Sequence, residues 1–408
     1  MSTAANKPIG PYCGIYVKQE STAFTAEQWA ATDVFRAISP TTMGDHTRAR
    51  EEIAETRCSR GKHAEVLGAL EPVEWGIQAR LKGSGTAGTA VPGRKTLMEA
   101  LAGLSETVVG STSVTYESNE QNPGTTGTIY RVSRDGKFGE LLEGAICQQV
   151  ELVCTRESPG PTLNWTGIAA RKYEFMQTTL NGAIADGVVT SMTLATDCIR
   201  HGSEENAPTS LPLWVKIEDE IVKITAFNHT TLVATIVRGE FSTTPAAHAD
   251  ALAVTPYAEA GTYGEGGEAI SPNDWTVVDA NLGTLKLQEL TVTLATGRDF
   301  DPPESGDIAR TALYNGDYAG TGSLSYIFAS DAAKYGLQRA LDAGTELDLT
   351  VTMGSVAGSI FTLNLGKVRL IEGVPKDLAN GEIITVTQNF RLRDNIDTLL
   401  GQFQLVET

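Results

Sequence analysis

From residue 73 to 81 the chain reads VEWGIQARL. Val73, Trp75, Ile77, Ala79 and Leu81 fall on one side of an extended backbone, and Glu74, Gly76, Gln78 and Arg80 on the other. A period of two marks a half-buried antiparallel strand, because successive side chains point to opposite faces of a sheet. The pattern returns in KLQELTVTL (286–294), ELDLTVTM (346–353), SIFTLNLGKVRLI (359–371) and EIITVTQNFRLR (382–393). Repeated alternation of this kind confines the chain to a mostly β fold. The 41 glycines supply the turns that such a fold needs.

Helical periodicity is confined to two places. GRKTLMEALAGL (93–104) sets Leu97, Leu101 and Leu104 on one stripe. SDAAKYGLQRALDAG (330–344) offers Ser330 or Asp331 as a cap, a stripe of Ala333, Leu337, Ala340 and Leu341, and Gly344 as a stop. These helices expose an internal repeat. Each follows an alternating strand, 73–81 or 322–329. Each precedes two more, STSVTYES and GTIYRV in one case and ELDLTVTM and SIFTLNL in the other. The stretch 144–152 with TLNWTGIAARK then matches 366–373 with EIITVTQNFRLRD, and GIYVKQES matches LKLQELTV.

Between the copies lie GVVTSMTLAT, LWVKIEDEIVKITAF and TTLVATIVRG, strands that read as a small β module. A Gly-rich acidic stretch, 258–274, reads as a linker. At 408 residues two or three domains are expected. The division is a first domain at 1–178, an inserted module at 179–260 and a second domain at 261–408. Each main domain is a β-sandwich or barrel with one flanking helix.

Fifty acidic against 32 basic residues leave a net charge of -18. A surface that wraps nucleic acid needs clustered Lys and Arg, so that class is disfavoured. The start, MSTAANKPIG, has no apolar leader, and no run reaches the roughly 18 apolar residues of a membrane span. Synthesis in the cytoplasm and no membrane partner are expected. Cys13, Cys58, Cys147, Cys154 and Cys198 are odd in number without CxxC spacing, and read as buried free thiols.

Local signatures of chemistry are weak. KGSGTAGTAVPGRKT (82–96) contains Gly83-x-Gly85-x-x-Gly88, the letters of a dinucleotide fingerprint. That fingerprint needs a buried parallel strand before it and a helix beginning inside it. Here the strand alternates and the helix begins near Arg94, beyond Pro92. The second copy fills the same slot with Ala329-Ser330-Asp331, so the slot needs no glycines. A flexible connector is the expectation, and no cofactor is implied. His46, His63, His201, His229 and His248 form neither HxH nor HExxH, so no metal site is implied. There is no Gly-x-Ser-x-Gly elbow. The pairs Glu218/Glu220 and Asp299/Asp301 read as solvated surface, and the tryptophans are scattered. No enzyme is expected. Two rival readings remain: a carbohydrate-binding or carbohydrate-active β-sandwich using carboxylates and tryptophans, and a nucleotide-dependent enzyme resting on the glycines.

One family joins these features. VEWGIQARLKGSGTAGTAVPGRKTLMEALAGLSETVVGSTSVTYES resembles the strand, Gly-rich loop, helix and SVTY strand of the tail tube (major tail) proteins of long non-contractile-tailed bacteriophages, the siphophages. GTGSLSYIFASDAAKYGLQRALDAGTELDLTVTM with LNLGKVRLIEG resembles the strand–helix–strand end of that fold. Residues 213–256 resemble a small β module of phage virion proteins. The resemblance implies a virion structural protein with a duplicated tube domain and an inserted module on the outer surface. Its rings stack into the tube through which DNA is ejected. Two tandem domains imply a homotrimer that mimics a hexameric ring, with a ring of six as the alternative. The implied partners are other copies of the chain, a tape measure protein, tail terminator and tip proteins, and double-stranded DNA passing without specific binding. An acidic wall would repel that DNA. Glu140, Glu143 and Glu151 in the first copy, and Glu346 and Asp348 in the second, are the candidates for it. Gly83, Gly85 and Gly88 are the candidate inter-subunit loop. Ring stacking is expected to use the N-terminal arm, residues 32–60 and the loop 298–316.

Overall fold

The structure, a computed structural model, describes residues 12–38, 42–45, 47–52, 65–118, 124–133, 135–157, 160–185, 188–201, 211–259, 261–302, 310, 312–327, 332–371, 385–393 and 403–408. It is mostly β, and its principal strands join into one continuous sheet system.

The first part of the chain supplies β1 (Tyr12–Gln19), β2 (Thr42–Met43), β3 (Arg48–Glu52), β4 (Glu65–Leu70) and β5 (Val73–Arg80). Helix α1 runs over Pro92–Lys95 and continues as a wider π turn over Thr96–Leu101. Then come β6 (Ser105–Val109), β7 (Ser113–Glu117), β8 (Gly127–Ser133), β9 (Phe138–Thr155), β10 (Thr162–Ala169) and β11 (Arg171–Met176). An insert follows with β12 (Thr178–Thr179), β13 (Ser191–Thr193), β14 (Leu213–Ile217), β15 (Glu220–Asn228), β16 (Val233–Glu240) and β17 (Ala253–Pro256). The last part supplies β18 (Trp275–Asp279), β19 (Glu289–Ala295), β20 (Arg298–Phe300), β21 (Leu313–Asn315), β22 (Ala319–Ile327) and α2 (Ala332–Ala343). It ends with β23 (Leu347–Met353), β24 (Phe361–Leu370), β25 (Thr385–Leu392) and β26 (Gln404–Glu407).

The two outer parts share one pairing scheme, all antiparallel. In the first, β1 pairs β8, β8 pairs β9, β9 pairs β10 and β11, β10 pairs β5, β5 pairs β2, and β3 pairs β4. In the last, β18 pairs β23, β23 pairs β24, β24 pairs β25 and β26, β25 pairs β22, β22 pairs β19, and β20 pairs β21. The helix occupies the same place in both orders. Two details differ from the reading of the sequence. The counterpart of β1 is β18, not residues 285–292. The SVTY strand β7 belongs to a hairpin with β6 that the second part lacks, so ELDLTVTM corresponds to β8 instead. Pairing partners are set by contacts far apart in sequence, which local alternation does not reveal.

One apolar core runs through both parts. Trp75, Leu97, Leu101, Val150 and Trp165 of the first meet Trp275, Val292, Leu337, Val351 and Phe390 of the last. The insert has its own six-stranded sheet, ordered β12-β17-β14-β15-β16-β13. Its core is not separate, since Trp214, Val215 and Ile224 pack with Tyr16, Trp29, Tyr130, Leu141 and Tyr173 of the first part. Trp29 stacks on Tyr130 at 4.0 Å and meets the edge of Trp214 at 5.0 Å.

Candidate functional site

The two similar parts are joined strand to strand. The C-terminal stretch of β9 pairs with β19 from Gln149↔Ala295 to Thr155↔Glu289. Beyond the ladder the chain turns through Gly297, whose φ of 67° suits glycine. Thr296 Oγ1 donates to the Cys147 carbonyl at 2.6 Å, and its N–H to Gln148 at 2.9 Å. Arg298, 3 % exposed, reaches across to the end of α1. Its guanidinium donates to the carbonyls of Ala100 (2.8 Å), Leu101 and Thr125 (2.8 Å), and to Asn315 Oδ1 at 3.0 Å. Burial draws its pKa down to about 10, so it stays charged at neutral pH. A cation there satisfies carbonyls that a helix end leaves open and complements the helix dipole. Phe300 then packs on Ile146, Ile168 and Ala170, with the Phe24 ring at 5.8 Å. Sequence reading placed Arg298 in a stacking loop and missed this role. The signal available was a Thr-Gly-Arg directly ending an alternating strand.

A second seam lies at the C-terminus. β26 pairs with β24 on one side and β7 on the other. Glu407 is buried and holds Arg94 of α1 in an ion pair, while also accepting from the Ser84 N–H at 2.9 Å. This seam governs the glycine loop. A Cβ on Gly83 would overlap the Gly358 carbonyl. The Gly85 N–H donates to that carbonyl at 3.0 Å, and Gly267 N–H donates to Gly83 at 3.0 Å. Gly88, at φ 69°, abuts the backbone of Ser111 and Thr112. The expected flexible connector is therefore a clamp within the chain. The space a pyrophosphate would need is filled by the 109–112, 266–267 and 358–359 backbones.

The five candidate acidic residues do not converge. Glu140 is buried with Arg131 and Lys172, the latter at 2.8 Å. Burial opposes its charge, but those cations outweigh it and hold its pKa below the ordinary value. Glu143 is buried, accepting from Tyr173 at 2.7 Å, Ala26 N–H at 3.1 Å and Arg171 at 3.3 Å. Neither presents a free negative charge. Glu151 is half-buried and accepts from Asn164 at 2.7 Å. Glu346 pairs with Arg393 at 3.2 Å, and Asp348 is exposed on β23. Loss of alternation explains the first two: β9 is buried on both faces from Gly139 to Cys147.

Six strands from both parts lie side by side in the order β5-β10-β9-β19-β22-β25. One face is core. The other carries Gln78, Asn164, Gln149, Glu151, Thr291, Thr293, Ser323, Ser325, Thr387 and Asn389. It is a broad hydroxyl and amide surface with Glu151 near its middle and with Glu74, Arg80, Glu289 and Arg391 toward its margins.

The pair Glu218/Glu220 is not solvated surface as a unit. Glu220 is 2 % exposed and takes a double hydrogen bond from Arg238, at 2.6 Å each. His248 bridges Glu220 and Glu218, both at 2.9 Å. Burial works against the Glu220 charge, yet Arg238, the Ala246 N–H and His248 prevail and lower its pKa to about 2. Cys147, Cys154 and Cys198 are buried free thiols, with burial pushing each pKa up to about 12. The side chains of Cys13 and Cys58, with His46, His63 and the Ser330/Asp331 cap, lie outside the described residues. Among the described residues no group of three His, Cys, Asp or Glu is placed to hold a metal ion, and no helix is long and apolar enough to cross a membrane.

No protein-family model matches the chain, and no curated protein does. Among solved structures it is similar to a chain of the anti-feeding prophage baseplate, a six-fold symmetrised cryo-EM structure. The likeness covers 29 % of this chain and 87 % of that one at 9 % identity, with a TM-score of 0.24, and carries no argument.

Proposed function

We propose that the chain is a virion structural protein of a siphophage that assembles with its own copies into the stacked rings of a tail tube. The observation that carries this reading is the β9–β19 junction. Two parts with one pairing scheme are already joined edge to edge within a single chain. A head-to-tail contact of that kind closes a ring when it repeats with the right rotation. Three chains give six tube domains, and six chains remain the alternative. The resemblance of the sequence to tail tube proteins points the same way, and it implies tape measure, terminator and tip proteins as further partners.

The hydroxyl and amide face of β5-β10-β9-β19-β22-β25 would line the channel. Through its middle such a face offers passing DNA hydroxyls and amides rather than cations; its exposed arginines, Arg80 and Arg391, lie on the outermost strands. Glu151 adds repulsion over about a Debye length, ~8–10 Å at physiological salt. Glu346 and Asp348 remain surface candidates for the same task. The insert would stand on the outside, because in the lumen it would obstruct DNA.

The rivals fare worse on specific residues. Trp29, Trp75, Trp165, Trp214 and Trp275 are each at most 3 % exposed, so none offers a ring to a sugar. The glycine loop is packed with backbone. Sedimentation velocity at rising protein concentration tests the reading. Species at three or six chain masses are expected. A monomer that persists at every concentration and after seeding would sink it.

A further inference from the structure

We propose that Asn181, at the entrance to the insert, modifies itself: it loses its side-chain amide through a cyclic imide formed with Gly182, and the Asp250 carboxylate acts as the base. The inference goes beyond the tube reading and does not rest on it.

Two segments of the insert build the site. The chain leaving β12 runs antiparallel to the chain entering β17. The Leu180 N–H donates to the Leu252 carbonyl at 2.9 Å, and Ile184 and His248 exchange two backbone bonds at 2.9 Å each. Gly182 therefore stands opposite Asp250, and its N–H donates to Asp250 Oδ1 at 2.7 Å. The same oxygen accepts from the Ala251 N–H at 2.8 Å, which fixes the carboxylate. His248, two residues earlier, is anchored by Glu218 and Glu220. The Asn181 N–H is tied to the Thr193 carbonyl at 2.9 Å, while its side chain is exposed and takes no hydrogen bond among the described residues. Gly182 has φ 108°, and nothing lies within 4 Å of the place its Cβ would occupy. Glycine alone leaves that side open to ring closure.

The chemistry follows from these contacts. A general base must lie within hydrogen-bond reach, about 2.6–3.2 Å, of the group whose proton it takes. Asp250 takes the Gly182 N–H proton as that nitrogen bonds to Cγ of Asn181. The Cγ–Nδ2 bond then breaks, the proton passes to the leaving nitrogen, and ammonia departs. Water opens the imide at either carbonyl. One opening gives aspartate, and the other gives isoaspartate, in which the chain runs through the side-chain carbons. Nothing is oxidised or reduced, and Asp250 returns to its starting state. Either product sets a second carboxylate near Asp250, and isoaspartate also lengthens the backbone between the paired residues 180 and 184. The entrance to the insert is loosened as a result.

The chain carries its own comparison. Asn315 is also followed by glycine. There the Gly316 N–H donates at 2.8 Å to the Gly297 carbonyl, a neutral acceptor, and Asn315 Oδ1 is held by Arg298 Nε at 3.0 Å. Asn315 should stay intact. A third such pair, Asn380 and Gly381, lies outside the described residues.

Peptide mapping by mass spectrometry tests this on the full chain, fresh and after incubation at neutral pH. Hydroxylamine cleavage traps the imide, and chromatography separates aspartate from isoaspartate peptides. In folded wild type, Asn181 should convert about tenfold faster than Asn315 or more, while in urea the two should convert at similar rates. Asp250→Asn, its fold checked by circular dichroism and thermal melting, should slow Asn181 by about tenfold or more and leave Asn315 unchanged. If that variant does not fold, the folded and unfolded wild-type rates decide. Asn181 converting no faster than Asn315 in the folded chain, or no faster than in urea, would overturn the site. A rate unchanged or raised in folded Asp250→Asn would show that the carboxylate braces the turn instead of taking the proton, and would overturn it equally.

Discussion

Gly83 has no room for a methyl group. Its neighbour is the Gly358 carbonyl, fixed in the seam between the two parts of the chain. Gly83→Ala should therefore cost about 2–3 kcal/mol, as overpacking against backbone does. Denaturant unfolding would measure it, and a variant as stable as wild type would show the loop to be slack. Glu220 makes the second prediction at this scale. Its pKa in the folded protein lies at about 2, below the ordinary carboxylate value. A depressed pKa stabilises the folded state above the unfolded value and loses that contribution as pH falls toward 2. Glu220→Gln should cost about 3 kcal/mol at pH 7 and much less near pH 2, measured by denaturation at both. An equal loss at the two pH values would contradict the role of its charge. The fingerprint letters Gly83, Gly85 and Gly88 were legible in the sequence. What packs around them was not, because the 266–267 and 358–359 segments are remote along the chain.

Among the elements, α1 and β20 are tied by one side chain. Arg298→Met keeps the volume and removes the guanidinium, leaving the carbonyls of Leu101 and Thr125 short of a donor, while Ala100 keeps the Thr125 N–H at 2.9 Å. A loss of about 3 kcal/mol is expected, since stranded buried acceptors each cost ~1–3 kcal/mol. Stability unchanged within error would remove Arg298 as the tie. Strands with clean alternation were legible almost to the residue. The pattern at 73–81 became β5, Val73–Arg80, and that at 346–353 became β23, Leu347–Met353. β9 was read only in part. Its 18 residues are buried on both faces over much of their length, so period two vanishes. Helix placement showed the similar order of the two parts, but ELDLTVTM was misaligned because the β6–β7 hairpin interrupts the first part alone, and β1 because its partner β8 is remote along the chain. Glu140 and Glu143 were chosen by charge, and their partners Arg131, Lys172 and Tyr173 come from other strands. The carbonyls that Arg298 meets, at Ala100, Leu101 and Thr125, are likewise remote along the chain.

At the scale of the whole molecule, two similar sheets share one core and one continuous ladder, and the insert shares a second core with the first of them. Excising the insert would expose Tyr16, Trp29 and Tyr130, and the shortened chain should be less soluble and less stable than the parent. A well-behaved truncated protein with the parental melting curve would show that the shared core contributes little. The central claim is that the β9–β19 junction is the pattern by which copies of the chain join. Electron microscopy of the purified protein at rising concentration tests it most directly. The account predicts rings of uniform width with six-fold-like projections, stacking into tubes with an open channel. Dispersed single chains at every concentration, or aggregates without a repeating width, would contradict it.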